Sequence, residues 1–131
     1  MVKEKNTLKT ILSILITLAV ILTIAFYESY RLNKTFSLFS ENLSTLYDKV
    51  EHQTVTYEDG VAIEEFWENQ KNTLHIWIPH NAILEIDYQL YEAVGYLYVR
   101  DYKSALPKLE ILLGMCENIP QSYRFSLENV F

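Results

Sequence analysis

Trp67, His75, Trp77, His80 and Glu85 fall close together in the chain and hold the residue types that do chemistry. A histidine beside carboxylates can act as a general base or bind a metal through a ring nitrogen. The spacing argues against both. His75 and His80 straddle Pro79, no third ligand stands at a recognised interval, and no H-E-x-x-H, Cys-x2-Cys or calcium-loop pattern occurs. His80 is therefore expected to cap or bridge a turn between two helices. Glu58, Asp59, Glu64, Glu65 and Glu68 could contact calcium, but calcium loops need closely alternating oxygens around a tight turn. Here the carboxylates are expected along a helix, as a solvated acidic face. Cys116, the single cysteine, lies on an apolar stripe with Leu109 and Leu113, which points to a buried, inert thiol and excludes an internal disulfide. No serine sits in a G-x-S-x-G elbow. The sequence thus carries no catalytic signature and implies no cofactor; a protein that is not an enzyme is expected.

The elements that would position these residues begin with an apolar segment. The first 59 residues contain neither glycine nor proline, and residues 10–27 contain no charge. A bilayer-spanning helix needs about 20 mostly apolar residues, so residues 10–27 are expected to contact the lipid bilayer as a single-pass transmembrane segment. A cleaved signal peptide is the alternative, but the run is longer than a usual apolar core. It ends in Ala25-Phe26-Tyr27-Glu28, with no small-x-small cleavage site. An uncleaved signal-anchor is the preferred reading. Lys3, Lys5 and Lys9 precede it and Arg31 and Lys34 follow, a bias that places residues 1–9 in the cytoplasm and residues 28–131 outside the cell membrane.

From Glu28 onward, 8 basic residues (11 in the chain, less the three leading lysines) face 16 acidic ones (17, less Glu4), a net charge of −8. Such a surface excludes nucleic acid as a partner, because phosphate binding wants a basic stripe.

Beyond the apolar run, Leu32, Phe36, Phe39, Leu43, Leu46 and Val50 recur in alternating steps of four and three, a heptad seam. One helix over residues 6–53 is predicted. The seam could join two copies of the chain, but packing on the chain's own helices is preferred. Thr56 is expected to cap a second helix whose first turn holds Glu58 and Asp59. Ile63, Phe66, Trp67, Gln70, Leu74, Trp77 and Ile78 share its face, and Pro79 is expected to stop it. A third helix is predicted over residues 81–99. One of its stripes is Ile83, Ile86, Leu90, Val94 and Leu97. A second is Leu84, Tyr88, Tyr91, Gly95, Tyr98 and Tyr102. The tyrosines could form a partner-binding face or the second buried side of a central helix. Ser104 is the preferred cap of a fourth helix, with Pro107 in its first turn; the alternative, Asp101, puts Pro107 in the second. Leu106, Leu109, Leu113 and Cys116 form its face, with Leu112 and Ile119 beside it. Pro120 is expected to end it, and Ser122 to cap a short terminal helix with Tyr123, Leu127, Val130 and Phe131.

Tyr91-x2-Val94-Gly95-x2-Tyr98 and Tyr102-x2-Ala105-x3-Leu109 match tetratricopeptide phrases, the second about two residues early. This supports one packed helical hairpin, with Gly95 expected to admit the neighbouring helix. Tyr57-x2-Gly60 is a weaker echo of Tyr102-x2-Ala105.

Further words carry a resemblance. Trp77 followed by His80, Ile86-Asp87-x2-Leu90, Tyr102-x2-Ala105, Ile119-Pro120 and the ending Ser126-Leu127-Glu128-Asn129-Val130-Phe131 resemble the DUF4363 family of Gram-positive, often spore-forming bacteria. That family carries acidic residues after the histidine, where this chain has Asn81 and Ala82. The resemblance implies one N-terminal anchor, a helical remainder and no assigned reaction.

The expected architecture is all-α: a transmembrane helix continuing into an extracytoplasmic antiparallel bundle with a tetratricopeptide-like hairpin. The expected function is that of a membrane-anchored interaction module or accessory subunit at the cell envelope. Its partner would be an integral membrane protein or a second copy, met through Tyr88, Tyr91 and Tyr98. The alternative is a sensor or accessory domain that binds a small ligand or cation through Trp67, Trp77, His80 and nearby acids.

Overall fold

A computed structural model describes residues 1–123 of the 131-residue chain. They form four helices, α1 (Val2–Glu51), α2 (Tyr57–Leu74), α3 (His80–Tyr98) and α4 (Tyr102–Ser122), and no strand among the described residues. Contacts divide the chain into two compact units, one made by Met1–Arg31 and one that starts at Leu32.

In the first unit, residues 10–21 are exposed on every side although most are apolar. The threonine hydroxyls inside the run are turned back on the helix. Thr17 donates to the Ser13 carbonyl at 2.9 Å and Thr23 to the Ala19 carbonyl at 2.8 Å. Satisfied in this way, they do not interrupt the apolar surface. The helix is long and apolar enough to cross a membrane, a character that a signal sequence shares.

In the second unit the heptad seam is the first wall of the core. Leu32, Phe36, Phe39, Leu43, Leu46 and Val50 are all buried within the chain's own helices. Contacts descend this part of α1 as they ascend α2. Lys49 pairs with Asp59 at 3.1 Å, Phe39 stacks on Phe66 at 5.9 Å between centroids, and Phe36 meets Trp67 at 6.4 Å. The α1 end is a left-handed turn, with Gln53 at φ 56° and the Thr54 N–H donating to the Lys49 carbonyl at 2.9 Å. Thr56 then caps α2 reciprocally with Asp59, each side chain accepting the other's backbone N–H.

The structure departs from the sequence reading at several junctions. Helix α2 ends at Leu74, not at Pro79. The residue before a proline avoids helical angles, and the chain leaves the helix early enough for Ile78 to fold back into the core while Trp77 stays outside, 43% exposed. Helix α3 starts at His80, one residue before the expected start, and its N-cap position, Pro79, makes no side-chain cap bond. Helix α4 is capped by Asp101, whose carboxylate accepts from the Ser104 N–H at 3.2 Å, rather than by Ser104. The reason lies one residue earlier. Arg100 takes a φ of 59° and the Asp101 N–H reaches the Tyr96 carbonyl at 2.8 Å, so the α3–α4 turn is too tight to wait for Ser104. Pro107 therefore lies inside α4, as does Pro120, and α4 continues to Ser122. The fourth-helix face also rotates, burying Ala105 and Leu112 while Leu106 and Leu113 are only half-buried. Tyr123 is its C-cap, and the rest of the expected terminal helix lies outside the described residues.

Helix α3 packs against both α2 and α4. Gly95 does not admit α4, as the hairpin reading expects; the glycine on which a neighbour closes is Gly60 of α2, against α3. A Cβ on Gly60 would stand 3.0 Å from Leu97 and 3.2 Å from Val94, whereas one on Gly95 would meet nothing within 4 Å. Gly60→Leu should therefore destabilise the fold by roughly 1–3 kcal/mol through overpacking. Gly95→Ala should stabilise it by about 1 kcal/mol through helix propensity. Thermal unfolding of the detergent-solubilised chain measures both.

Candidate functional site

The residues singled out for chemistry are not gathered in one place. Trp67 is fully buried on α2, stacked on Phe39 at 5.1 Å and 12° between planes. Trp77 and His80 lie exposed on the α2–α3 turn and the first turn of α3, with the His75 and His80 rings 5.5 Å apart. Glu85 is exposed and accepts from Gln89 at 2.8 Å. No group of three or more His, Cys, Asp or Glu among the described residues could hold a metal ion. Cys116 is buried, and burial pushes its thiol up to about 12, which makes it unreactive at ordinary pH.

Trp67 instead belongs to a polar network that the sequence reading missed. Its indole Nε1–H donates to Asp87 Oδ1 at 2.6 Å. Asp87 is the one buried charged residue among the described residues, and its other oxygen faces Lys71 Nζ at 3.3 Å. Lys71 also pairs with Glu68 at 2.8 Å, and the Tyr91 hydroxyl donates to Glu68. A signal for this cluster was present. Ile83, Asp87, Leu90, Val94 and Leu97 follow alternating steps of four and three, so an acid occupies a core position of α3. A charge there has to find partners.

The network shifts its members in definite directions. Burial alone would push Lys71 down, but the hydrogen bonds to Glu68, Tyr91 and Asp87 outweigh it and hold its ammonium above the ordinary lysine value. The same Lys71 bond, with the Tyr91 hydroxyl, holds Glu68 below the usual carboxylate value. Burial, then the Glu68 bond, raises the Tyr91 phenol. Glu64 is raised by burial and by the nearby Glu68 charge. At the other end of α2, Asp59 is lowered by the Thr56 backbone N–H and by Lys49. Within the acidic group, Asp59 is both cap and ion-pair partner and Glu68 is paired with Lys71.

What remains on the outside is aromatic. Tyr88, Tyr91 and Tyr98 are 59%, 42% and 70% exposed, so the middle of the second stripe is surface, while Leu84 and Tyr102 at its ends are half-buried. Tyr57 of α2 meets Tyr98 edge-on at 5.2 Å, with Val99 exposed beside them. Gly95 leaves an open notch in the helix surface between Tyr91 and Tyr98. On another face, an open groove of about 780 Å³ runs between α1 and α4, lined among others by Ser37, Ser40, Ser44, Gly114 and Glu117.

Fold and surface together define an all-α chain with a long apolar N-terminal helix and a small helical bundle that carries exposed tyrosines. Residues 26–130 match the family described as Domain of unknown function (DUF4363), and the chain belongs to that family. No curated protein and no solved structure matches it.

Asp87→Ala should lower stability by roughly 2–3 kcal/mol, because the indole and Lys71 both lose a charge-assisted partner. Asp87→Asn, which keeps an acceptor for Trp67, should lose about half as much. The pH dependence follows from Asp59 and Glu68. Their folded-state values lie below those of the unfolded chain, so their contribution is complete above about pH 5 and is lost as the pH falls through the lowered values. The Lys71 contribution has the opposite sense. It is complete below the unfolded value of about 10.4 and fades only as the pH rises past the raised one. Melting temperature against pH should therefore show a shallower acid limb in Asp59→Asn and Glu68→Gln than in the wild type.

Proposed function

We propose that the protein is a membrane-anchored, non-enzymatic interaction module of the cell envelope. In this reading residues 10–27 are an uncleaved signal-anchor, residues 1–9 stay in the cytoplasm, and the acidic bundle lies outside as an antiparallel assembly whose α3–α4 pair resembles a tetratricopeptide hairpin. The bundle docks an integral membrane protein or a second copy of itself through the tyrosine stripe of α3. The observation that carries this reading is the stripe itself. Tyr88, Tyr91 and Tyr98 are exposed in a row and interrupted by a glycine that no neighbour in the chain requires. Tyrosine is enriched at protein interfaces. An exposed mid-helix glycine weakens the helix by about 1 kcal/mol, and a notch for a partner helix would offset that. The heptad seam is already occupied by the chain's own core, which leaves the stripe as the surface for association.

The test is a photo-crosslinking amino acid placed at Tyr98 in native membranes. One dominant product is expected, lost when Gly95 is replaced by Leu; diffuse products from every membrane would defeat the reading. Topology is checked with an impermeant maleimide, Cys116 being buried and silent. Lys103→Cys should label in intact cells and Lys5→Cys only after permeabilisation, and the reverse pattern would invert the orientation.

A further inference from the structure

The α2–α3 turn is the least charged part of an acidic domain. Residues 72–84 carry no Asp, Glu, Lys or Arg, the longest such run after the N-terminal one. At its tip Ile76 is 79% exposed and Trp77 43% exposed. Nothing in the core needs them there, since Leu74 and Ile78 on either side already fill the core positions. The place of this turn follows from the α1–α2 pairing. Phe36 meets Trp67, so moving one helical turn back along α1 reaches Leu32 and moving two turns on along α2 reaches Leu74. The turn after Leu74 therefore sits at the end of the bundle where Leu32 enters it, about 5 Å beyond that residue's level at ~1.5 Å rise per residue. The uncharged apolar run ends at Tyr27, and the five peptide steps to Leu32 span at most ~18 Å. An exposed isoleucine and tryptophan, stripped of the acidic residues that anionic headgroups repel, are thus tethered within reach of the bilayer. Tryptophan is enriched at that depth because its ring is amphipathic.

We propose that the Ile76–Trp77 turn seats in the headgroup region of the bilayer and gives the bundle a second membrane contact. The proposal rests on the reading of residues 10–27 as an anchor. It concerns a different surface from the tyrosine stripe and fixes the rotation in which that stripe is presented.

The experiment uses the full chain reconstituted in phosphatidylcholine–phosphatidylglycerol vesicles, with and without acyl chains brominated near the headgroup. Trp77 is one of two tryptophans and Trp67 is enclosed, so brominated lipid should remove a fraction of the emission approaching one half. Trp77→Phe, a change at an exposed site, should abolish the quenching, and Ile76→Ser should reduce it. Unquenched emission from a chain that resists alkaline carbonate extraction would overturn the lipid contact and leave the anchor standing. Equal quenching in Trp77→Phe would overturn it as well. Trp77 protected from acrylamide in native membranes but unquenched by brominated lipid would assign the turn to a protein partner instead. Release of the chain by carbonate would defeat the anchor reading itself.

Discussion

Three helices of the bundle meet at Trp67. The ring lies between Phe36 and Phe39 of α1, and its one polar atom is taken by Asp87 of α3. A core of leucine and isoleucine can slide by a turn at small cost, because such side chains substitute for one another. An indole N–H and a buried carboxylate cannot, since each loses its partner if the register slips. The Trp67–Asp87 bond therefore sets how α3 stands against α2. Lys71 turns inward to neutralise the acid, Glu68 follows Lys71, and the Tyr91 hydroxyl follows Glu68. Two residues singled out in the sequence, Glu68 and Tyr91, thus belong to one network around a buried charge.

That constraint explains what could be read in the sequence. The seam from Leu32 to Val50 was legible because its spacing repeats without a break, and periodic burial is a local property of a helix. The Thr56–Asp59 cap was legible because both partners lie within one turn. The α2 end, the Asp101 cap and the role of Gly60 depend on neighbours distant in sequence. Arg100 adopts a positive φ that its type does not advertise, and α4 starts from Asp101 rather than from Ser104. Gly60 and Gly95 are the same residue in similar helices, and only the packing of Val94 and Leu97 on one of them tells them apart. The tyrosines are a harder case. A tyrosine carries apolar area and a hydroxyl, so it is as well suited to a core edge as to a surface, and the sequence left both readings open. Asp87 was legible in principle, as an acid on a stripe otherwise made of Ile, Leu and Val.

The separation of Trp67 from Trp77 and His80 bears on function. A ligand site assembled from them would need the two tryptophans on one wall. Yet Trp67 has spent its ring on Phe39 and its N–H on Asp87, while Trp77 faces outward. The two tryptophans thus divide structure and surface between them, Trp67 inside the core and Trp77 outside it.

The charges outside that network bear on the proposed second membrane contact. Carboxylates outnumber cations across the bundle, yet residues 72–84 have neither. An even spread would serve solubility alone. In the proposed arrangement, repulsion over most of the surface together with an uncharged turn would favour one tilt of the bundle on the bilayer. The tyrosine stripe lies along α3, whose first residue follows that neutral turn directly. Fixing the turn at the lipid would thus hold the stripe in a constant direction, and a partner confined to the same membrane would meet it by diffusion in two dimensions and with little orientational search.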